Sequence, residues 1–150
     1  MARYDGREWR SVADLRSPLV AVWAESDSSA FVADARAVFR IEGLVAYPVA
    51  TARSGTITQL VSSPAGLVIG TTRQLLTPGG HNDCGVNQLA ADGDHLWIAG
   101  DYCSGRFLAS DPLISPAPAA PFGASTAVAV GRDVVWYAAG ANIMARPRAR

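Results

Sequence analysis

Lysine is missing from this chain of 150 residues: all 13 of its Lys and Arg residues are arginine. Charge of either sign is scarce, at 17 % of residues, which is low for a domain surrounded by water. The 13 basic and 13 acidic side chains cancel. Such a chain has no net field to draw in nucleic acid or an anionic membrane surface, and neither is expected as a partner. Long apolar runs are missing too; none approaches the roughly 20 residues that cross a bilayer as a helix. The N-terminal MARYDGREWRSV has no apolar segment behind its first charges. No secretory leader is therefore expected, and a cytoplasmic location is the default. Catalytic signatures are absent as well: no nucleophile elbow, no paired glutamates at catalytic spacing, no HExxH and no phosphate-gripping glycine loop. The GGHNDCG segment is glycine-rich but opens no helix, so it lacks the amide array of an anion site. We expect no enzyme and no cofactor.

Helical periodicity is the last absence, and it leads to what is present. Apolar residues come in runs of four to six, bounded by Gly, Pro, Asp and Ser, which reads as short strands. These runs recur. FVAD ends at Asp34, LVIG at Gly70, LWIAG at Gly100 and WYAAG at Gly140, spacings of 36, 30 and 40 residues. Each is preceded by another apolar stretch, beginning at Leu19, Thr56, Val86 and Ser125. Each is followed by a third, beginning at Arg36, Arg73, Arg106 and Asn142, the last of these short. Three strands per unit, which we label a, b and c, at a period of about 35 residues indicate a solenoid or propeller. The alanines of SSAFVADARAVFRI would support a helix, but their place in the repeat predicts strands at Ala30 to Ala33 and Val38 to Ile41, with Asp34-Ala35 turning between them. A fourth strand, d, is expected at Arg7 to Ala13 and Leu44 to Ala52. Little room for one remains after Pro78, and residues 110–125, with four prolines, suit a poor edge strand or an extended loop.

The N-terminal third carries YDGREW, LVAVW and DSSAFVADARAVFRIEG. Tyr4, Asp5, Gly6 and Trp9, then Val22-Trp23, Phe31 to Asp34 and Glu42-Gly43, resemble a bacterial β-propeller repeat of the tyrosine-aspartate-glycine-x-x-tryptophan, aspartate-valine-tryptophan-alanine-valine-glycine type. Later units match more loosely, keeping the strand-b motif at Leu96 to Gly100 and Val135 to Gly140. The resemblance covers essentially the whole chain and implies an all-β, propeller-like fold of about four short blades. Their expected bounds are 14–52, 53–80, 81–115 and 116–150, in a single domain spanning 1–150, with 1–13 as an edge-closing segment. Either REWRSV lies on IMAR and closes a four-bladed ring, or two chains supply eight blades, or the chain is a segment of a larger propeller. Members of such families range over assembly factors, sensory proteins and secreted proteins, so the resemblance implies a fold and leaves function open.

Few side chains invite a chemical role. Cys84 and Cys103 flank a hairpin centred between Gly93 and Asp94, which places them opposite one another as a disulfide candidate. A disulfide would argue for an extracytoplasmic compartment. The alternative is a zinc site from His81, Asp83, Cys84 and Cys103, with Asp101 nearby. Arg36, Arg73 and Arg106 begin three c strands and, with Tyr102, could hold an anionic ligand or glycan on one face. They could equally cap strand ends. Trp97 and Trp136 share one strand-b position and are expected in the core; Trp9, on an outer strand, is the expected exception. His95 is expected in a solvated turn. The reading that follows is a non-enzymatic scaffold or binding module engaging a protein partner or itself. A glycan or small anionic ligand binder comes second, and a zinc-dependent enzyme third.

Overall fold

The computed structural model describes residues 2–4, 6–12, 15, 17–101, 103–111 and 124–148. Sixteen strands and no helix are formed among them, and all pairings between strands are antiparallel. An N-terminal hairpin comprises β1 (Ala2–Tyr4) and β2 (Trp9–Ser11). Sheet 1 is β3 (Ala21–Ala24), β4 (Ser29–Ala33), β5 (Ala37–Glu42) and β6 (Val45–Thr51). Sheet 2 is β7 (Ile57–Ser63), β8 (Gly66–Thr71), β9 (Leu75–Thr77) and β10 (Gly80–Asn82). Sheet 3 is β11 (Val86–Asp92), β12 (His95–Gly100) and β13 (Gly105–Leu108). Sheet 4 is β14 (Ala127–Val130), β15 (Val134–Ala139) and β16 (Asn142–Pro147). Within each of these four sheets the strands lie in chain order.

Repetition in the sequence thus becomes a row of all-β units. Helix is refused even by the alanine-rich segment, because Asp34 turns the chain there. Its Oδ1 accepts hydrogen bonds from the backbone N–H of Arg36 (2.8 Å) and Ala37 (2.7 Å), and β4 ends where that turn begins. Thr71 does the same for sheet 2, its Oγ1 accepting from Arg73 N and Gln74 N. Gly93 (φ 59°) and Gly140 (φ 58°) each open a two-residue hairpin turn, a left-handed position that a side chain would strain.

Four expectations need correction. Sheet 2 does have a fourth strand: β10 occupies the segment that seemed too short for one, and it carries the sheet past the boundary expected at residue 80. The c strand of the last unit is six residues long, while the short ones are β9 and β13. His95 is half-buried as the first residue of β12 rather than solvated in a turn. And β2 pairs with β1 in a sheet of its own, while sheet 4 ends at β16, so REWRSV does not close the edge at IMAR.

The sheets meet face to face. Principal contacts between them join β3 to β7, β7 to β11 and β11 to β14, the first strand of each sheet touching the first strand of the next. Between sheets 1 and 2 lie Ala33, Val38, Ile57, Leu60 and Ile69. Between 2 and 3 lie Val61, Val68, Leu75, Leu89, Leu96 and Ile98. Trp97 and Ala99 of sheet 3 pack on Val128, Val135 and Tyr137 of sheet 4. Each large side chain so buried contributes roughly 1.5–3 kcal/mol. On the far side of sheet 1, Val32 and Ile41 are covered by Val12 and Leu15 of the N-terminal segment.

Polar side chains tie the stack together at equivalent places. The ladder of sheet 2 shifts register between Ile57 and Gln59, and that of sheet 3 between Val86 and Gln88. A bulge re-aims the extra residue, here Thr58 and Asn87. Thr58 Oγ1 donates to Val86 O of the next sheet at 2.8 Å, and Asn87 Nδ2 to Ser125 O of the next at 3.0 Å. The following glutamines do likewise: Gln59 Oε1 accepts from Leu89 N, and Gln88 Oε1 from Val128 N, both at 2.9 Å. One interface is built twice.

Candidate functional site

The rim where the b–c turns meet the connection from sheet 2 to sheet 3 gathers most of the side chains with chemical potential. Its centre is the Cys84–Cys103 disulfide, with the two Cα atoms 5.7 Å apart. The hairpin pairs Asp92 with His95 and Leu89 with Ile98, so the flanking cysteines arrive side by side, as its symmetry predicts. Backbone approach around the disulfide is close. A Cβ on Gly85 would stand 2.6 Å from Thr72 O, and one on Gly100 would stand 2.2 Å from Gly85 O. Only glycine allows the connecting segment to pass between the turn of sheet 2 and the end of β12. The next turn is closed by Ser104, whose Oγ donates to Gly100 O (3.0 Å) and touches Ser125 Oγ, both serines being buried.

The disulfide removes both thiols from metal chemistry, because zinc takes thiolate. Of the remaining zinc candidates, His81 is exposed on β10 opposite Leu76. Asp83 Oδ1 accepts from Gln74 Nε2 at 3.0 Å. Asp101 Oδ1 accepts from Asn87 Nδ2 at 2.8 Å. No group of three or more His, Cys, Asp or Glu converges among the described residues. The four zinc candidates therefore do not form the site that their proximity in sequence suggested.

The arginine set divides. Arg36 and Arg73 occupy equivalent places in the turns after Asp34 and Thr71 and are exposed. Arg106 lies within β13 opposite Trp97, its guanidinium carbon 5.8 Å from the ring centroid. Its counterpart is Arg40, opposite Phe31 and 5.9 Å from that ring. The guanidiniums of Arg40 and Arg106 thus cover aromatic faces in cation–π geometry. This corrects the expectation that Arg106 begins its strand alongside Arg36 and Arg73. Tyr102 lies outside the described residues.

What the rim does form is a cleft of about 320 Å³ lined by Ser54, Thr72, Arg73, Gln74, Asp83 and Asp101. It is polar and carries both signs of charge. Elsewhere a few titratable groups are shifted by their surroundings. Backbone N–H donors from Arg36 and Ala37 lower the Asp34 carboxyl below its ordinary value. A hydrogen bond from Arg40, then one from Ser29, lowers that of Glu25. Burial pushes Tyr137 up to about 12, and its hydroxyl donates to Gly105 O at 3.3 Å.

Sequence reasoning missed the links between sheets. Their signal was available as Thr58-Gln59 and Asn87-Gln88, polar pairs at one offset in otherwise apolar a strands. It also misplaced Trp136, which is 48 % exposed while Trp97 is 4 % exposed.

No family model matches the chain, and no curated protein matches it. Among solved structures, the computationally designed Ika4 protein is similar in fold. The TM-score is 0.68 at 12 % identity, over 91 % of this chain and 95 % of that one.

Proposed function

We infer that this chain is a β-propeller-type scaffold that acts by binding a macromolecular partner rather than by catalysis, in an extracytoplasmic compartment. The observation that carries this reading is the recurrent interface between sheets. Thr58-Gln59 and Asn87-Gln88 make the same bonds to the next sheet, with the first strands of successive sheets adjacent. Radial packing produces such repetition, and the resemblance of the N-terminal third to a propeller repeat agrees with it. A rigid stack that presents different turns at one rim, and apolar faces at its two ends, suits recognition. The Cys84–Cys103 disulfide supports an oxidising compartment.

A second reading is favoured by the rim cleft: a glycan held by Arg73, Gln74, Asp83 and Asp101. Two carboxylates beside one guanidinium suit neutral hydroxyls better than an anion.

Affinity capture from the envelope fraction of the source cells tests both readings. Wild-type protein should retain a protein partner that Arg73→Glu bait loses. Retention of glycans alone, lost with Arg73→Glu, would favour the second reading. Substrate turnover by the purified protein would overturn the non-catalytic part of either.

A further inference from the structure

The two ends of the stack are opposite halves of the interface that the chain builds internally, and at the sheet 1 end Val12 and Leu15 cover Val32 and Ile41 but leave Val22 open. Ladder partners and turn contacts align the sheets position by position. Val22, Leu60, Leu89 and Val128 are equivalent on the first strands, facing the preceding sheet. Phe31, Val68, Trp97 and Trp136 are equivalent on the second strands, facing the following sheet. Leu60, Leu89 and Val128 are buried, whereas Val22 is 68 % exposed. Trp97 is covered by sheet 4; Trp136 is not covered, and Ile143 beside it is 76 % exposed. Among the described residues, the ends therefore do not meet within one chain.

Resting on the scaffold reading above, we propose that a second copy of this chain covers both ends. Sheet 4 of each copy packs on sheet 1 of the other, giving a twofold ring of eight sheets. Complementarity on three counts selects this occupant. The back of sheet 1 holds a cleft of about 530 Å³ whose walls include Val12, Val20, Val22, Ala24, Ala30 and Ile41, an apolar space suited to an indole. Trp136 is the indole that stands at the facing position. Thr126 repeats Thr58: each hydroxyl donates to its own sheet, to Ala138 O and Gly70 O respectively. Thr58 also reaches the next sheet at Val86 O, and the carbonyl equivalent to Val86 at the open end is that of Leu19. Charge agrees as well. Sheets 3 and 4 are joined by an Asp92–Arg148 ion pair. Within one residue of those positions, the open ends carry Arg132 and Glu42, the same pairing with signs exchanged, although Glu42 is also paired with Arg40 of its own sheet. A head-to-tail interface used twice closes on itself without leaving a sticky end.

The test is the sedimentation mass of the purified 150-residue protein and of two variants. Wild type should sediment at twice 15.7 kDa. Trp136→Arg and Val22→Arg should each weaken association by roughly thirtyfold or more, with an unchanged far-ultraviolet circular dichroism spectrum. Mixed together, they should recover part of the association, because each retains the half the other lacks. Should Trp136→Arg fail to fold, Ile143→Glu probes the same face. A wild-type mass of 15.7 kDa, an open polymer, or dimers indifferent to all three substitutions overturns the proposal. A monomer whose sheets still surround one axis ends the dimer and leaves the scaffold; a dimer without that axis ends the scaffold.

Discussion

Trp97 and Trp136 occupy the same position in adjacent sheets, but Trp97 lies beneath sheet 4 and Trp136 has no sheet above it. Position in the stack, rather than the residue or its strand, decides burial. Trp97→Ala should lower the unfolding free energy by about 3–5 kcal/mol. Trp136→Ala, at concentrations where the chain is monomeric, should cost less than about 1 kcal/mol. Trp97 Nε1 has no hydrogen-bond partner among the described residues. Trp97→Phe, the residue that sheet 1 carries at Phe31, should therefore cost far less than Trp97→Ala. Denaturant midpoints of the three variants check this.

Gln88→Ala removes the acceptor of Val128 N between sheets 3 and 4. A buried donor left without a partner costs about 1–3 kcal/mol. Gln59→Ala should cost a similar amount at Leu89 N. Denaturant midpoints of the two single variants check this, and a loss at only one of them would contradict the equivalence.

Breaking the Cys84–Cys103 bond, with reductant or as the Cys84→Ser, Cys103→Ser pair, frees a loop of sequence separation 19. The expected loss is about 3 kcal/mol. Chemical denaturation with and without reductant measures it directly.

Gly100→Ala places a methyl group against Gly85 O, where a Cβ would stand at 2.2 Å. Neither backbone segment can withdraw while the disulfide holds them. Overpacking of this kind costs about 1–3 kcal/mol, and Gly100→Ala should lower the melting temperature even in the oxidised protein. No change would show that the segment can move.

Tyr137 supplies a pH dependence. Its pKa is pushed up to about 12, chiefly by burial, whereas an unfolded tyrosine ionises near 10. Between those values the unfolded chain has released a proton that the folded chain keeps, so stability falls as pH rises through the window. The fall should be on the order of 2 kcal/mol and should vanish in Tyr137→Phe. Equilibrium unfolding across that pH range, in wild type and variant, reads it.

Much of this architecture was legible in the sequence, because the repeat fixes strand positions more firmly than local propensity does. The alanine-rich segment around Asp34 would read as helix alone, and its place in the period overrules that. The disulfide followed from hairpin symmetry. What escaped was whatever depends on a neighbouring sheet. Trp136 was expected to be buried because its sequence context matches that of Trp97; the difference lies in the sheet that covers one and not the other. The zinc candidates failed for a related reason. Proximity along the chain placed His81 near Cys84, but β10 pairs His81 with Leu76 and the sulfurs are bonded to each other. Arg106 was misaligned because β13 begins five residues after Gly100, whereas β5 and β9 begin three and four residues after Asp34 and Thr71. The sequence does not show which residues a turn absorbs.

A crystal structure of the purified protein tests the central claim most directly. The account predicts β3, β7, β11 and β14 around a common axis, each first strand next to that of the following sheet. Sheets stacked in a straight row, with no axis shared by those four strands, would contradict it.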